Sequence, residues 1–251
     1  MFNYNEAKER TDKILRQLNE IHFLDYINQN KLNEYGVLKE ELREDAPNDI
    51  FGYPIVCVGD FSSSVNLPGD LNAAVGATRI VFWDAEERDY VIKIGLSPTD
   101  EEYCAKEVAI YNAAVEENAE EAFAGIQLIY DGNTYFDDVL LDRGIYAMEY
   151  FDCDEDEIAS SSTSAAWRRY CEENEIDIND SAAYDRFYDD LCYDAQSISE
   201  SIIDFAIETS WGPELSRKVL NIINTFEIND LHSGNWSMSD GRMVIIDYGC
   251  F

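Results

Sequence analysis

Two short segments hold side chains whose types and spacing could do phosphate chemistry. The first is Ile228-Asn229-Asp230-Leu231-His232-Ser233-Gly234-Asn235, where Asp230 and Asn235 stand five residues apart in a Gly-containing loop. Twelve residues after Asn235 comes Asp247, in Ile245-Ile246-Asp247-Tyr248-Gly249, at the end of an apolar run. The plain alternative is a pair of ordinary loops with turn-forming Asp and Asn. The chemical reading is one carboxylate, Asp230, that positions a hydroxyl nucleophile. The amide of Asn235 and the carboxylate of Asp247 would then hold Mg²⁺ on a polyphosphate. Hard oxygen donors of this kind suit Mg²⁺ and not zinc.

A third position is Lys93, in the otherwise apolar run VIKIG. Lys93 and Lys106 are the only lysines between Lys39 and Lys218. A lysine in a strand can simply guard a sheet edge against aggregation. It can also be a buried cation that grips an anion, steadied by a carboxylate. Glu107, 14 residues on in AKEVAIY, is placed to be that carboxylate; the plain alternative for it is a solvated helix face.

These residues need elements to position them. Residues 5–45 have a helical pattern, with Ile14, Leu18, Ile21, Leu24, Leu32 and Leu38 at recurring apolar positions. Pro47 and Gly52 end it. PIVCV, TRIVFW and DYVIKIG are short β-branched runs broken by Gly, Pro and Asp, which predicts strands. Pro98-Thr99-Asp100-Glu101 predicts a helix start, with Val108, Tyr111 and Val115 on its apolar side. IQLIYDGNTYFDDVLL, with an Asp131-Gly132-Asn133 turn, and GIYAMEYF predict two more strands. Asp152–Ser164 reads as a solvated loop or linker. A long helix is expected over 183–209 and another from Pro213, burying Val219, Leu220, Ile222, Ile223 and Phe226. RMVIIDYG is a strand after a Ser239-Asp240-Gly241 turn. Trp167, Trp211 and Trp236 are expected in packing, not as ligand contacts.

Composition narrows the function classes. The 251-residue chain is 46% hydrophobic, enough for a core without staples. No apolar run approaches the 18 or so residues of a membrane span, and the polar start MFNYNEAKER does not resemble a secretory signal. A net charge of −34 argues against direct nucleic-acid binding and against docking on anionic membranes. That charge is concentrated: −14 over residues 51–150, −14 over 151–210 and only −2 over 211–251. Six cysteines without paired spacing, beside two histidines, suggest free thiols in a reducing cytoplasm.

In this order the motifs resemble the protein-kinase signature set. The resemblance implies an α+β, bilobal fold with a β-rich N-lobe and a minimal helical C-lobe. The expected division is a helical extension at 1–48, an N-lobe at 49–150 and a C-lobe at 151–251. It implies Lys93 on the α/β-phosphates with Glu107 as its helix partner, Asp230 as the catalytic Asp, and Asn235 and Asp247 as Mg²⁺ ligands. YAMEYF would be the hinge, with Met148 as gatekeeper and Glu149 to Phe151 offering backbone groups to adenine. Gly59, Phe61, Ser62, Ser63 and Val65 resemble the phosphate-covering loop, although the segment is rich in Ser where Gly is usual. The flavour is similar to early serine/threonine kinases of short-tailed bacteriophages. His232 replaces the Lys of the ordinary loop, so transition-state charge would be neutralised differently. The His-containing loop is also shared with aminoglycoside- and choline-kinase-type enzymes.

The sequence carries two residues after Gly249, so the usual activation segment and peptide-docking platform are not expected. The resemblance implies an ATP- and Mg²⁺-dependent kinase acting on a basic host protein. The alternative is a kinase-fold binding protein that occupies such a partner as an acidic decoy. A small-molecule kinase is the third reading.

Overall fold

The computed structural model describes residues 2–20, 24, 70–75, 78–95, 100–153, 155–192 and 195–249. The strand expected at 54–58, the loop containing Gly59, Phe61, Ser62, Ser63 and Val65, and most of the helical pattern after residue 20 lie outside these residues. The fold is mixed α+β. It divides into two compact units, residues 1–109 with 125–150, and residues 110–124 with 151–251. No helix among the described residues is long and apolar enough to cross a membrane. The four described cysteines form no disulfide.

The first unit opens with helix α1 (Tyr4–Glu20), which buries Ile14, Leu15 and Leu18. Strands β1 (Leu71–Val75), β2 (Arg79–Asp84) and β3 (Tyr90–Gly95) follow as consecutive antiparallel neighbours. Helix α2 (Glu101–Glu117) comes next, then β4 (Ile126–Tyr130), a small hairpin of β5 (Tyr135–Phe136) and β6 (Val139–Leu140), and β7 (Ile145–Glu149). The main sheet runs β1-β2-β3-β7-β4. Strand alternation sorts its side chains onto two faces. Ile80, Phe82, Ile92, Ile94 and Ile145 join Ile14, Leu15 and Leu18 of α1 in one apolar cluster. Burying each such side chain stabilises by roughly 1.5–3 kcal/mol. Arg79, Val81, Lys93, Tyr146 and Met148 fall on the opposite face, with Val81 paired to Lys93 and Lys93 to Tyr146. β3 is therefore an interior strand, and Lys93 does not guard an edge.

Two expectations for this unit change. β1, lying in LNAAV, had no strand signal beyond its small apolar residues, and it pairs in full with β2. On α2 the buried stripe is Cys104, Glu107, Ile110, Tyr111 and Ala114, while Val115 is 41% exposed. The sequence pattern placed the apolar side one position off, because the stripe contains a glutamate that periodicity counts as polar.

The second unit contains α3 (Glu155–Asn174), α4 (Ser181–Cys192), α5 (Ala195–Ala206) and α6 (Gly212–Phe226), then a hairpin of β8 (Trp236–Ser239) and β9 (Arg242–Ile245). Residues 110–124 belong here because Phe123 bridges Ile245 and the Ala124 amide donates to its carbonyl at 2.9 Å. The stretch 152–164 was expected as a solvated loop and is instead mostly the first half of α3. Its acidic run supplies Glu155, Asp156 and Glu157 to the first helical turn, where the dipole favours negative charge. Ile158, Ser162, Ala165 and Ala166 form the buried stripe, and residues that small conceal a hydrophobic period. The long helix expected over 183–209 is two helices, α4 and α5. Asp180 starts α4 by accepting from the Ala182 and Ala183 amides. After α5 comes a π-helical turn, Ile207–Trp211, and α6 opens at Gly212 with φ +66° and Pro213 behind it. Trp167, Trp211 and Trp236 are all buried.

Candidate functional site

Strand alternation carries Lys93 onto the α2 face of the sheet, where α2 presents Glu107. Lys93 Nζ lies 2.9 Å from Glu107 Oε1 and 3.2 Å from Oε2. Arg79, at the start of β2 on the same face, places Nη1 2.9 Å from Glu107 Oε2, an ion pair outside hydrogen-bond geometry. Glu107 is wholly buried, and Lys93 and Arg79 are 5% and 4% exposed. Burying ionic groups so far from water is costly without such mutual contacts. Cys104, one turn before Glu107, is also buried; burial first, and then the Glu107 charge, push its thiol up to about 12. It is a packing residue and not a nucleophile. Burial, followed by the charge of Glu101, likewise raises Tyr146, whose hydroxyl donates to Glu101 Oε1 at 3.3 Å.

Met148 is buried on β7, opposite Val91 of β3. Glu149 Oε2 and its carbonyl partner strand are tied to Gly125: the Gly125 amide donates to Oε2 and the Glu149 amide donates to the Gly125 carbonyl, both at 2.8 Å. The Tyr150 amide donates to Asp89 at 3.0 Å. Of the backbone groups expected to serve adenine, the Glu149 and Tyr150 amides are thus already engaged. Phe151, half-buried, begins the second unit's long segment.

In the second unit, α6 delivers the chain into the 228–235 loop through Glu227, which takes a left-handed φ of +52°. The Asn235 amide nitrogen Nδ2 donates to the Asp230 carbonyl at 2.7 Å, closing the loop and leaving Oδ1 as its acceptor end. The Asn235 backbone carbonyl accepts from Ile246 at 2.9 Å. This extends the β8–β9 register, in which Trp236 pairs with Ile245. The twelve residues between Asn235 and Asp247 are therefore a hairpin that returns Asp247 to within one residue of Asn235's partner. The hairpin is anchored by Trp236, fully buried, whose Nε1 donates to the Leu231 carbonyl at 3.1 Å. Tyr248, also buried, donates to the Ala124 carbonyl at 2.6 Å.

Asp230 is half-exposed. His232 Nδ1 accepts from the Gly234 amide at 3.0 Å, so a neutral ring carries its proton on Nε2, 3.9 Å from Asp230 Oδ1. That separation is too long for a hydrogen bond. A Cβ on Gly234 would stand 2.9 Å from His232 Cε1, so the ring needs glycine there.

No family model, curated protein or solved structure matches this chain. Its chemistry therefore rests on its own residues. Among the described residues no group of three or more His, Cys, Asp or Glu could hold a metal ion. An Asn–Asp pair still fits Mg²⁺, because that ion keeps waters and takes phosphate oxygens beside one or two protein ligands. The sequence pattern missed Arg79, whose only signal was a cation opening an apolar strand. It also missed Glu155, Cys153 and Asp152, taken as linker residues. Glu155 accepts from Ser233 Oγ at 3.3 Å, Cys153 Sγ donates to the Gly234 carbonyl at 3.4 Å, and the Asp152 carbonyl accepts from Ser237 Oγ at 2.6 Å.

Proposed function

We propose that this chain is an ATP- and Mg²⁺-dependent phosphotransferase with a bilobal, protein-kinase-like fold, transferring phosphate to serine or threonine of a basic host protein. The observation that carries the proposal is the buried Lys93–Glu107 pair, 2.9 Å long, between the third strand of the sheet and the helix that follows. A strand lysine paired to a helix glutamate is the arrangement a protein kinase needs for activity. The Asn235–Ile246 contact adds support, since it draws two hard-oxygen residues onto neighbouring chain segments.

In this reading Lys93 orients the α/β-phosphates and Glu107 fixes Lys93. Asn235 and Asp247 hold Mg²⁺, which neutralises charge on the transferred group. Asp230 accepts the hydroxyl proton, with the His232 Nε2 proton adding positive potential beside it. Catalysis is then positioning plus electrostatics. With the Glu149 and Tyr150 amides engaged, a backbone donor to adenine falls to Phe151. Met148 supplies an apolar wall. The cover for the phosphates was expected from Gly59, Phe61, Ser62, Ser63 and Val65. Those residues lie outside the described ones. The acidic surface attracts a basic substrate and gives salt-sensitive association.

The test is transfer of labelled γ-phosphate from Mg-ATP to a host lysate and to a generic basic protein, with wild type and Asp230→Asn in parallel. Transfer that Asp230→Asn abolishes supports the proposal. No transfer from folded wild type moves the balance to the second reading, an acidic decoy on a kinase-like scaffold, which the net charge of −34 favours. A decoy holds a basic partner without ATP.

A further inference from the structure

Glu107 is gripped from two sides, and only one grip was anticipated. Lys93 Nζ spends donors on both carboxylate oxygens, at 2.9 Å and 3.2 Å. Arg79 Nη1 reaches Oε2 at 2.9 Å. An ammonium has three donors. One donor therefore remains for a phosphate oxygen, and turning it outward draws the ammonium off the longer of its two contacts with a carboxylate that has no exposed surface. Stripping a contact from a buried charge is costly. Arg79 already holds the oxygen on which the Lys93 contact is longer.

We propose that Arg79 is a positioning residue for Lys93: by holding Glu107 Oε2, it lets the Lys93 ammonium turn a donor to an incoming polyphosphate while Glu107 stays compensated. This rests on the phosphotransferase reading. The backbone supports the assignment. Arg79 opens β2 opposite Gly95, and the β2–β3 register sets it two residues before Val81, the direct partner of Lys93. Both cations therefore approach the carboxylate from one sheet face and cannot exchange roles by sliding. Arg79 holds the carboxylate and Lys93 serves the anion.

The experiment measures binding of inorganic pyrophosphate and of Mg-ATP, together with KM and kcat, for wild type and three variants. Arg79→Met forces Glu107 to lean on Lys93, so pyrophosphate binding weakens about tenfold and KM for ATP rises with it, as expected for one lost charged contact. Arg79→Lys keeps a cation and stays within about threefold of wild type. In Arg79→Met/Glu107→Gln no carboxylate competes for Lys93, and pyrophosphate binding recovers most of the loss. A merely structural role predicts the opposite: the double variant binds no better than the single, and affinity tracks thermal stability. Arg79→Met binding pyrophosphate as tightly as wild type overturns the inference, as does a double variant as weak as the single. If Arg79→Met does not fold, Arg79→Lys decides, and a tenfold rise in its KM overturns it. Wild type that binds neither pyrophosphate nor Mg-ATP removes the phosphotransferase reading itself, and this inference with it.

Discussion

Lys93 and Glu107 show why residue type and burial must be read together. A lysine on an interior strand is expensive unless it has a partner, and the partner here has no other surface to turn to. Lys93→Met leaves Glu107 to Arg79 alone, so the loss falls short of the ~3–5 kcal/mol that a fully uncompensated buried charge costs. We expect a urea midpoint well below wild type, and phosphate transfer abolished even in preparations shown to be folded. Gly234→Ala probes the other loop. Its Cβ would meet the His232 ring at 2.9 Å from Cε1 and 3.1 Å from Nδ1. The ring must turn away, losing the Gly234 contact. Stability should fall by about 1 kcal/mol, the worth of one hydrogen bond, while turnover falls by more than tenfold. Unchanged turnover would remove His232 from the mechanism.

At the scale of elements, α1 is held to the sheet by an apolar stripe and by charge at the β2–β3 turn. Asp84 accepts from the Glu86 and Glu87 amides and from Lys13 Nζ, the last at 2.6 Å. Arg10 pairs with Glu87 and Asp89, and Lys13 also reaches Glu87. Burial alone would raise the Asp84 carboxyl, but Lys13 and the two amides outweigh it and hold the carboxyl below its ordinary value of 3.8. A group depressed on folding stabilises the folded state above its unfolded value and loses that contribution as pH falls through its folded one. Thermal melts of wild type and Asp84→Asn should therefore differ at pH 7 and begin to converge only as pH falls below about 4. A constant difference down to pH 3 would mean that the clamp is steric. Lys13, raised by the same contacts, keeps its contribution at neutral pH and loses it only above the ordinary lysine value.

The whole molecule carries −34 on 251 residues. Self-repulsion on this scale weakens the compact state and repels a polyanion before any local contact forms. Salt shortens the reach of both effects, with a Debye length of about 8 Å at 0.15 M against 30 Å at 0.01 M. Raising salt between those values should raise the melting temperature and tighten Mg-ATP binding, whereas a generic basic protein should bind less tightly. Nucleotide affinity that falls over the same range would contradict the repulsion argument.

Much of the candidate site was legible in the sequence because its parts are local. Asp230 and Asn235 share one loop, and the hairpin that returns Asp247 is announced by its Ser-Asp-Gly turn. Lys93 and Glu107 are one strand-to-helix connection apart, so residue types and spacing suffice to suggest the pair. Arg79 was not legible, because its partner lies 28 positions away and only sheet register brings it close. Glu155 and Asp152 were hidden by composition: an acidic run before small residues looks solvated until a helix dipole and a buried Ser-Ala stripe claim it. The α+β class, the strand that carries Lys93 and the turn chemistry around Asp230 follow from the sequence alone, since each depends on short-range sterics, periodicity and residue type. Which face of the sheet Lys93 occupies, that its strand is interior, and that Arg79 shares Glu107 were decided only by the tertiary structure, because burial and register are properties of contacts between segments distant in the chain.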